Sequence, residues 1–172
     1  MKNLELKARL VDRARARAAA LELGARAAGV EEQRDTFFHA PRGRLKLRET
    51  AGQGAWLIGY QRGDRSEARI SEYTLVAIGD PAGLREALAA TLGIRGEVRK
   101  RREILLWENV RIHLDAVAGL GEYLEFEAVL GAGAGEDEAT AATRLAMLAE
   151  RLGIGDGDRV SGAYADLRGL GE

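Results

Sequence analysis

One pattern constrains this chain more than any other: residues two apart alternate between apolar side chains and ionisable ones. Successive side chains of a strand point to opposite faces, so residues two apart share a face. At the start of the chain Leu4 and Leu6 oppose Asn3, Glu5 and Lys7. Further on, Leu45 and Leu47 oppose Arg44, Lys46 and Arg48, and Ile112 and Leu114 oppose Arg111, His113 and Asp115. Leu124, Phe126 and Ala128 oppose Tyr123, Glu125 and Glu127, while Arg69, Ser71 and Tyr73 fall in one row.

The ordinary meaning of alternation is a half-buried sheet with a wet outer face. Here the polar rows are nearly all ionisable, with few of the Thr, Ser or Gln residues common on solvated strands. They also sort by sign. Lys46, Arg48, Lys100, Arg102 and Arg111 are basic, while Glu5, Asp115, Glu125 and Glu127 are acidic. If the sheet closes and helices cover its apolar side, these charges point into the bore. Desolvated charges need partners, and a polyanion with divalent metal would supply them.

Eight segments read as strands: 3–10, 25–39, 44–50, 55–61, 68–78, 96–107, 110–117 and 122–130. Short glycine-containing links at 50–54 and 118–121 suit antiparallel hairpins, and closure into a barrel removes exposed edges. Three helices are expected. Asp12 caps one that runs to about Leu23 and stops at Gly24. Asp80-Pro81 is an N-cap and first-position pair for a second, closing at Leu92-Gly93. A third runs from about Asp137 to Leu152. Ser161 can cap a short final turn reaching Arg168, and the run Gly131–Gly135 reads as a flexible connection. The expected fold is α+β: an eight-stranded antiparallel β-barrel with helices packed outside, formed by residues 1–172 as a single domain.

Composition closes off several alternatives. The chain has no cysteine, which excludes disulfides, thiolate metal sites and a Cys nucleophile. Its net charge is −1 and its aromatic content 5%, neither of which suits a nucleic-acid binder. No apolar run approaches the length of a membrane span, and the first residues lack a signal peptide's apolar core. The expectation is a cytoplasmic protein. His39 and His113 are the only histidines, and no Ser/His/Asp arrangement is evident; His113 shares its face with Arg111 and Asp115. Trp56, Trp107 and Tyr60 read as packing residues, and Asp156-Gly157-Asp158 as a turn.

Glu125 and Glu127 stand roughly 6.5–7 Å apart along one face of a strand. Two like charges so placed repel, and a cation beside them relieves the repulsion. Carboxylate oxygens favour Mg²⁺ or Mn²⁺ over softer metals. Solvated surface glutamates are the competing explanation.

The chain resembles the CYTH family, or triphosphate tunnel metalloenzymes, most closely its class IV adenylyl cyclase branch. The resemblance is carried by Asn3-Leu4-Glu5-Leu6-Lys7, against a family pattern Glu-x-Glu-x-Lys, and by Gln33–Phe38 and Gly43–Glu49. Leu57–Tyr60 with Arg62, Arg69-Ile70-Ser71, Val98–Glu103, Arg111–Asp115, Gly121–Glu127 and the Ser161–Leu167 tail continue it in order. It implies a tunnel that holds a triphosphate and divalent metal, Mg²⁺ or Mn²⁺. By position, Glu5, Asp115, Glu125 and Glu127 resemble the family's metal ligands, and Glu5, Lys7 and Asp115 its catalytic residues. Lys7, Lys46, Arg48, Arg62, Arg69, Lys100, Arg102 and Arg111 resemble its phosphate contacts. Arg grips phosphate oxygens bidentately and Lys acts as a point charge. Asn3 departs from the pattern: it offers a carbonyl oxygen but no charge, which bears on a second metal site.

The resemblance implies an adenylyl cyclase that converts ATP to cyclic AMP and pyrophosphate. A triphosphatase acting on thiamine triphosphate, tripolyphosphate or nucleotides uses the same acids and bases. A non-catalytic polyphosphate binder is a third reading, supported in the sequence by Asn3 alone. The expected partner is a triphosphate, with no nucleic acid and no membrane; homodimer formation is left open.

Overall fold

A computed structural model of the chain describes residues 1–62, 67–131 and 137–169. Eight antiparallel strands close into a barrel: β1 (Lys2–Arg9), β2 (Arg26–Phe38), β3 (Arg44–Thr50), β4 (Gly54–Arg62), β5 (Arg69–Ile78), β6 (Ile94–Trp107), β7 (Val110–Val117) and β8 (Gly121–Leu130). Around the barrel they run β1-β5-β4-β3-β2-β6-β7-β8, and β8 pairs back with β1. Every strand therefore has two paired neighbours, and no edge is left to aggregate. The predicted segments 44–50 and 110–117 coincide with β3 and β7.

The helices are α1 (Arg13–Glu22), α2 (Pro81–Leu92), α3 (Glu138–Arg151) and α4 (Tyr164–Leu167). Their starts follow from side-chain caps. Asp12 accepts from Arg15 N, Asp80 from Gly83 N and Asp137 from Thr140 N, each satisfying a backbone donor with no intrahelical partner. The final turn differs from expectation. Its cap position is Ala163, whose N–H donates to Asp166 at 2.6 Å, while Ser161 lies exposed. Residues 132–136 of the Gly131–Gly135 run lie outside the described residues.

The outward rows of β1, β7 and β8 carry Leu4, Leu6, Ile112, Leu114, Leu124 and Phe126, all nearly inaccessible to solvent. Ala16 and Ala20 of α1, with Leu145 and Leu148 of α3, cover them. Each fully buried Leu contributes about 1.5–3 kcal/mol, so this face anchors the helices. On the other side, Leu84 and Leu88 of α2 pack on Phe38, Leu47 and Ala55. With the apolar rows turned outward under helices, the charged rows face the bore. β2 takes up a register shift between Ala27 and Gly29. Gly29 has φ +142°, which a side chain would resist.

At one end the inward rows change character. Phe37, Val98 and Tyr123 each lie two positions from a charged residue of the bore, and Val117 two positions from the buried Asp115. They form an apolar cluster with Ala163, Tyr164 and Ala165. The C-terminal segment reaches this end by pairing beside β1, where Val160 N donates to Lys7 O at 3.0 Å. Asp166 ties it down by accepting from Arg44 and Arg95. Among the described residues no helix is long and apolar enough to cross a membrane.

Candidate active site

The bore is a cavity whose described lining includes Asn3, Glu5 and Lys7 of β1, Asp35 of β2, and Lys46 and Arg48 of β3. Lys100 and Arg102 of β6, Arg111 of β7, and Glu125 and Glu127 of β8 complete its charged wall. Among these residues six cations face four carboxylates, so the described lining is net positive. β4 and β5 contribute a different surface: Ile58, Tyr60, Ser71, Tyr73 and Leu75. The cavity thus has a charged wall and a partly aromatic one.

Asp35 organises the cations on one side. Arg48 grips its two oxygens at 2.7 and 2.8 Å, and Lys46 and Lys100 reach Oδ2 at 3.1 and 3.3 Å. Burial alone would push the Asp35 carboxyl up, but Arg48, Lys100 and Lys46 together hold it well below the usual carboxylate range. For Lys46 the balance falls the other way. Burial, then the adjacent Arg48 charge, push its ammonium down to about 7, against the pull of Asp35. Lys100 is pushed down too, by burial and by Arg102.

Arg102 organises the other side. It donates to Asp115 at 2.7 and 2.5 Å and to Glu125 at 2.6 Å. Lys7 reaches Glu125 at 3.1 Å and Gly162 O at 3.2 Å. Burial would raise the Glu125 carboxyl, yet Lys7 and Arg102 hold it well below its ordinary value. Arg111 stands 3.5 Å from Glu127.

The structure brings together Glu5, Lys7, Lys46, Arg48, Lys100, Arg102, Arg111, Glu125 and Glu127, as the alternation predicts. Asp115 sits behind this lining, fully buried, with its oxygens taken by Arg102 and by the hydroxyl of Tyr164. Arg69 is buried and directs Nη1 to Val160 O at 3.5 Å, towards the C-terminal segment. The backbone of Arg62 pairs with Ser71, while its side chain lies outside the described residues.

Sequence reasoning missed three contributors. Asp35 stands in the Gln33–Phe38 stretch, and an acid in a row paired with the basic rows of β3 and β6 was the available signal. Tyr60, read as a packing residue, lines the cavity with its ring 5.7 Å from Lys46 Nζ. Tyr164 enters the bore from the C-terminal segment, its ring 3.9 Å below Lys7 Nζ; it lies in the Ser161–Leu167 tail, outside the alternating rows that mark the other lining residues. Trp107 does act as a packing residue, donating to Leu23 O at 3.0 Å.

The donor set suits a hard divalent cation. Glu5, Glu125 and Glu127 supply carboxylates. The carbonyl oxygen of Asn3 and Nδ1 of His113 are buried without a hydrogen-bond partner. A metal-dependent site would give such orphaned polar atoms a role.

Comparison with known proteins decides the family. The CYTH domain profile matches residues 1–164. The chain belongs to the CYTH family. That family processes triphosphates with divalent metal. Solved structures of similar fold include a Pyrococcus horikoshii protein at 24% identity and TM-score 0.85, covering 96% of this CYTH chain and 98% of that one. A Vibrio parahaemolyticus protein described as a candidate adenylate cyclase matches at 20% identity and TM-score 0.76, covering 96% and 97%. A Hippeastrum protein, described as an adenylyl cyclase candidate with dominant triphosphatase activity, matches at 18% and 0.66, covering 96% and 95%. At these identities the likeness concerns the CYTH fold. Among curated proteins none is significantly similar in sequence.

Proposed function

We propose that this chain binds ATP with Mg²⁺ or Mn²⁺ inside the barrel and converts it to cyclic AMP and pyrophosphate. One observation carries the reading: a net-positive charged wall and the surface of Ile58, Tyr60, Tyr73 and Leu75 share one cavity. The first suits a triphosphate, the second an organic group attached to it. In the reaction the ribose 3′-oxygen attacks the α-phosphorus, the bond to the bridging oxygen breaks, and pyrophosphate leaves.

In this reading Lys7, Lys46, Arg48, Lys100, Arg102 and Arg111 hold the phosphates. Asp35 keeps three of these cations together before substrate arrives. Glu5, Glu125 and Glu127 hold the metal, which would neutralise charge developing on the transferring phosphoryl group. Asp115 acts through Arg102, which it fixes from behind, instead of as a ligand. Arg69 supports the C-terminal segment, and Arg62 keeps its assignment as a phosphate contact. Preorganised charges of this kind stabilise a transition state without reorganising during the reaction.

Hydrolysis of a triphosphate is the second reading, favoured by the dominant triphosphatase activity of the Hippeastrum protein. The test is a product assay with Mg²⁺ or Mn²⁺, supplying ATP, thiamine triphosphate and tripolyphosphate in parallel. Cyclic AMP with equimolar pyrophosphate establishes the cyclase. Orthophosphate without cyclic AMP establishes the triphosphatase, and no turnover of any substrate rejects both.

A further inference from the structure

We infer that His113 is a nitrogen ligand of the bound metal, making the site a mixed imidazole–carboxylate one that favours Mn²⁺ over Mg²⁺. The inference rests on the metal-dependent reading above and adds a donor to it.

His113 lies on β7 in the inward row, between Arg111 and Asp115. Its residue is 4% exposed, and its Nδ1 has no hydrogen-bond partner. A buried ring nitrogen without a partner is costly. This one stands 3.7 Å from Glu127 Oε1 and 3.9 Å from Glu125 Oε2, too far for hydrogen bonds. The three ligand atoms lie within 4.8 Å of one another. Two donors each about 2.1 Å from one octahedral ion are about 3.0 Å apart when adjacent and about 4.2 Å apart when opposite. Both His113 distances exceed the adjacent separation by less than about 1 Å, a gap that turning the glutamate side chains towards the ion would close.

The neighbours leave room for this role. Glu125 Oε2 also accepts from Arg102 at 2.6 Å, and a carboxylate oxygen has two lone pairs. Glu127 directs its other oxygen, Oε2, to Arg111 at 3.5 Å, leaving Oε1 on the His113 side. The sheet holds the ring in place, because His113 pairs with Glu125 on β8 and with Ile104 on β6. Imidazole nitrogen binds Mn²⁺ more readily than it binds Mg²⁺, which keeps to oxygen and water. The added donor therefore shifts preference between two ions that an all-carboxylate site would separate less.

The test reads nitrogen bound to Mn²⁺ by pulsed electron paramagnetic resonance, without reference to turnover. Mn²⁺ is titrated into the protein, unlabelled and with ¹⁵N-histidine. The expected result is a ¹⁴N coupling that converts to the ¹⁵N pattern on labelling. It persists in His39→Gln, which removes the other histidine, and disappears in His113→Asn. In His113→Asn the Mn²⁺ affinity also falls by about tenfold or more. Wild-type and His39→Gln spectra decide the question even if His113→Asn fails to fold. Bound Mn²⁺ without histidine coupling overturns the inference and leaves the metal-dependent reading standing. No Mn²⁺ binding at all overturns both.

Discussion

The hydroxyl of Tyr164 donates to Asp115 Oδ2 at 2.8 Å, linking the C-terminal segment to the inner face of β7. Asp115 in turn grips Arg102, so a residue outside the barrel strands helps to aim a cation in the bore. Removing the hydroxyl leaves Asp115 with one fewer partner. Tyr164→Phe is expected to cost about 0.5–1.5 kcal/mol of stability. A comparable loss of transition-state binding would lower kcat/KM by about twofold to tenfold. Denaturant titration and kinetics check this; wild-type values in both would show that Arg102 does not depend on the bond.

Arg48 and Glu125 are expected to fail differently. Arg48→Ala removes a bidentate cation and should weaken triphosphate binding by about tenfold to a hundredfold, with turnover falling alongside. Glu125→Ala should reduce metal-dependent turnover by more than about a hundredfold, with a smaller effect on triphosphate affinity measured without metal. Wild-type activity in both variants would sink the assignment of the bore as the active site.

Lys46 makes triphosphate binding pH-dependent. Its ammonium is pushed down to about 7 from an ordinary 10.5. Between those values the unfolded chain holds more protons at this position than the folded one, so the Lys46 contribution to stability rises with pH through that window. A bound triphosphate favours the charged form. Binding above pH 7 should therefore take up protons, with Lys100 contributing in the same direction. Calorimetry of tripolyphosphate binding at pH 8.5, in buffers of different ionisation enthalpy, reads the uptake. Lys46→Met should reduce it, and equal uptake in both proteins would contradict the assignment.

Asn3 gives a test of the departure from the family pattern. Its carbonyl oxygen is buried in the bore without a hydrogen-bond partner. Asn3→Glu buries an added charge beside other carboxylates, which should lower the melting temperature without metal. Mg²⁺ should recover more stability in the variant than in wild type, because ligand binding to the folded state stabilises it. Identical Mg²⁺-induced shifts would show that position 3 does not face the metal.

Phe126 tests the outer core. It is fully buried among Leu6, Ile112 and Leu145 in the cluster beneath α1 and α3. Phe126→Ala should cost about 3–5 kcal/mol, read as a lower denaturant midpoint with an unchanged slope. A loss below about 1 kcal/mol would mean that the helices do not seal this face as described.

Much of this protein is written locally in its sequence. Period-two alternation determines which residues share a face, and the caps Asp12, Asp80 and Asp137 mark where helices begin. Both depend on neighbours within a few positions, so β3, β7 and the charged rows are legible in the sequence. Partner choice is not. Asp35 meets Lys100 across 65 positions, and Tyr164 meets Asp115 across 49. Those meetings depend on how the barrel closes and where the chain returns after α3. The difference at Ser161 was local: Asp166 accepts from Ala163 N at the start of the turn, and Ser161 stays exposed. Sequence alone placed the charges together in alternating rows; closure of the barrel turned those rows inward and decided which carboxylate meets which cation. Attraction between charges acts through space, and only the tertiary structure fixes those distances.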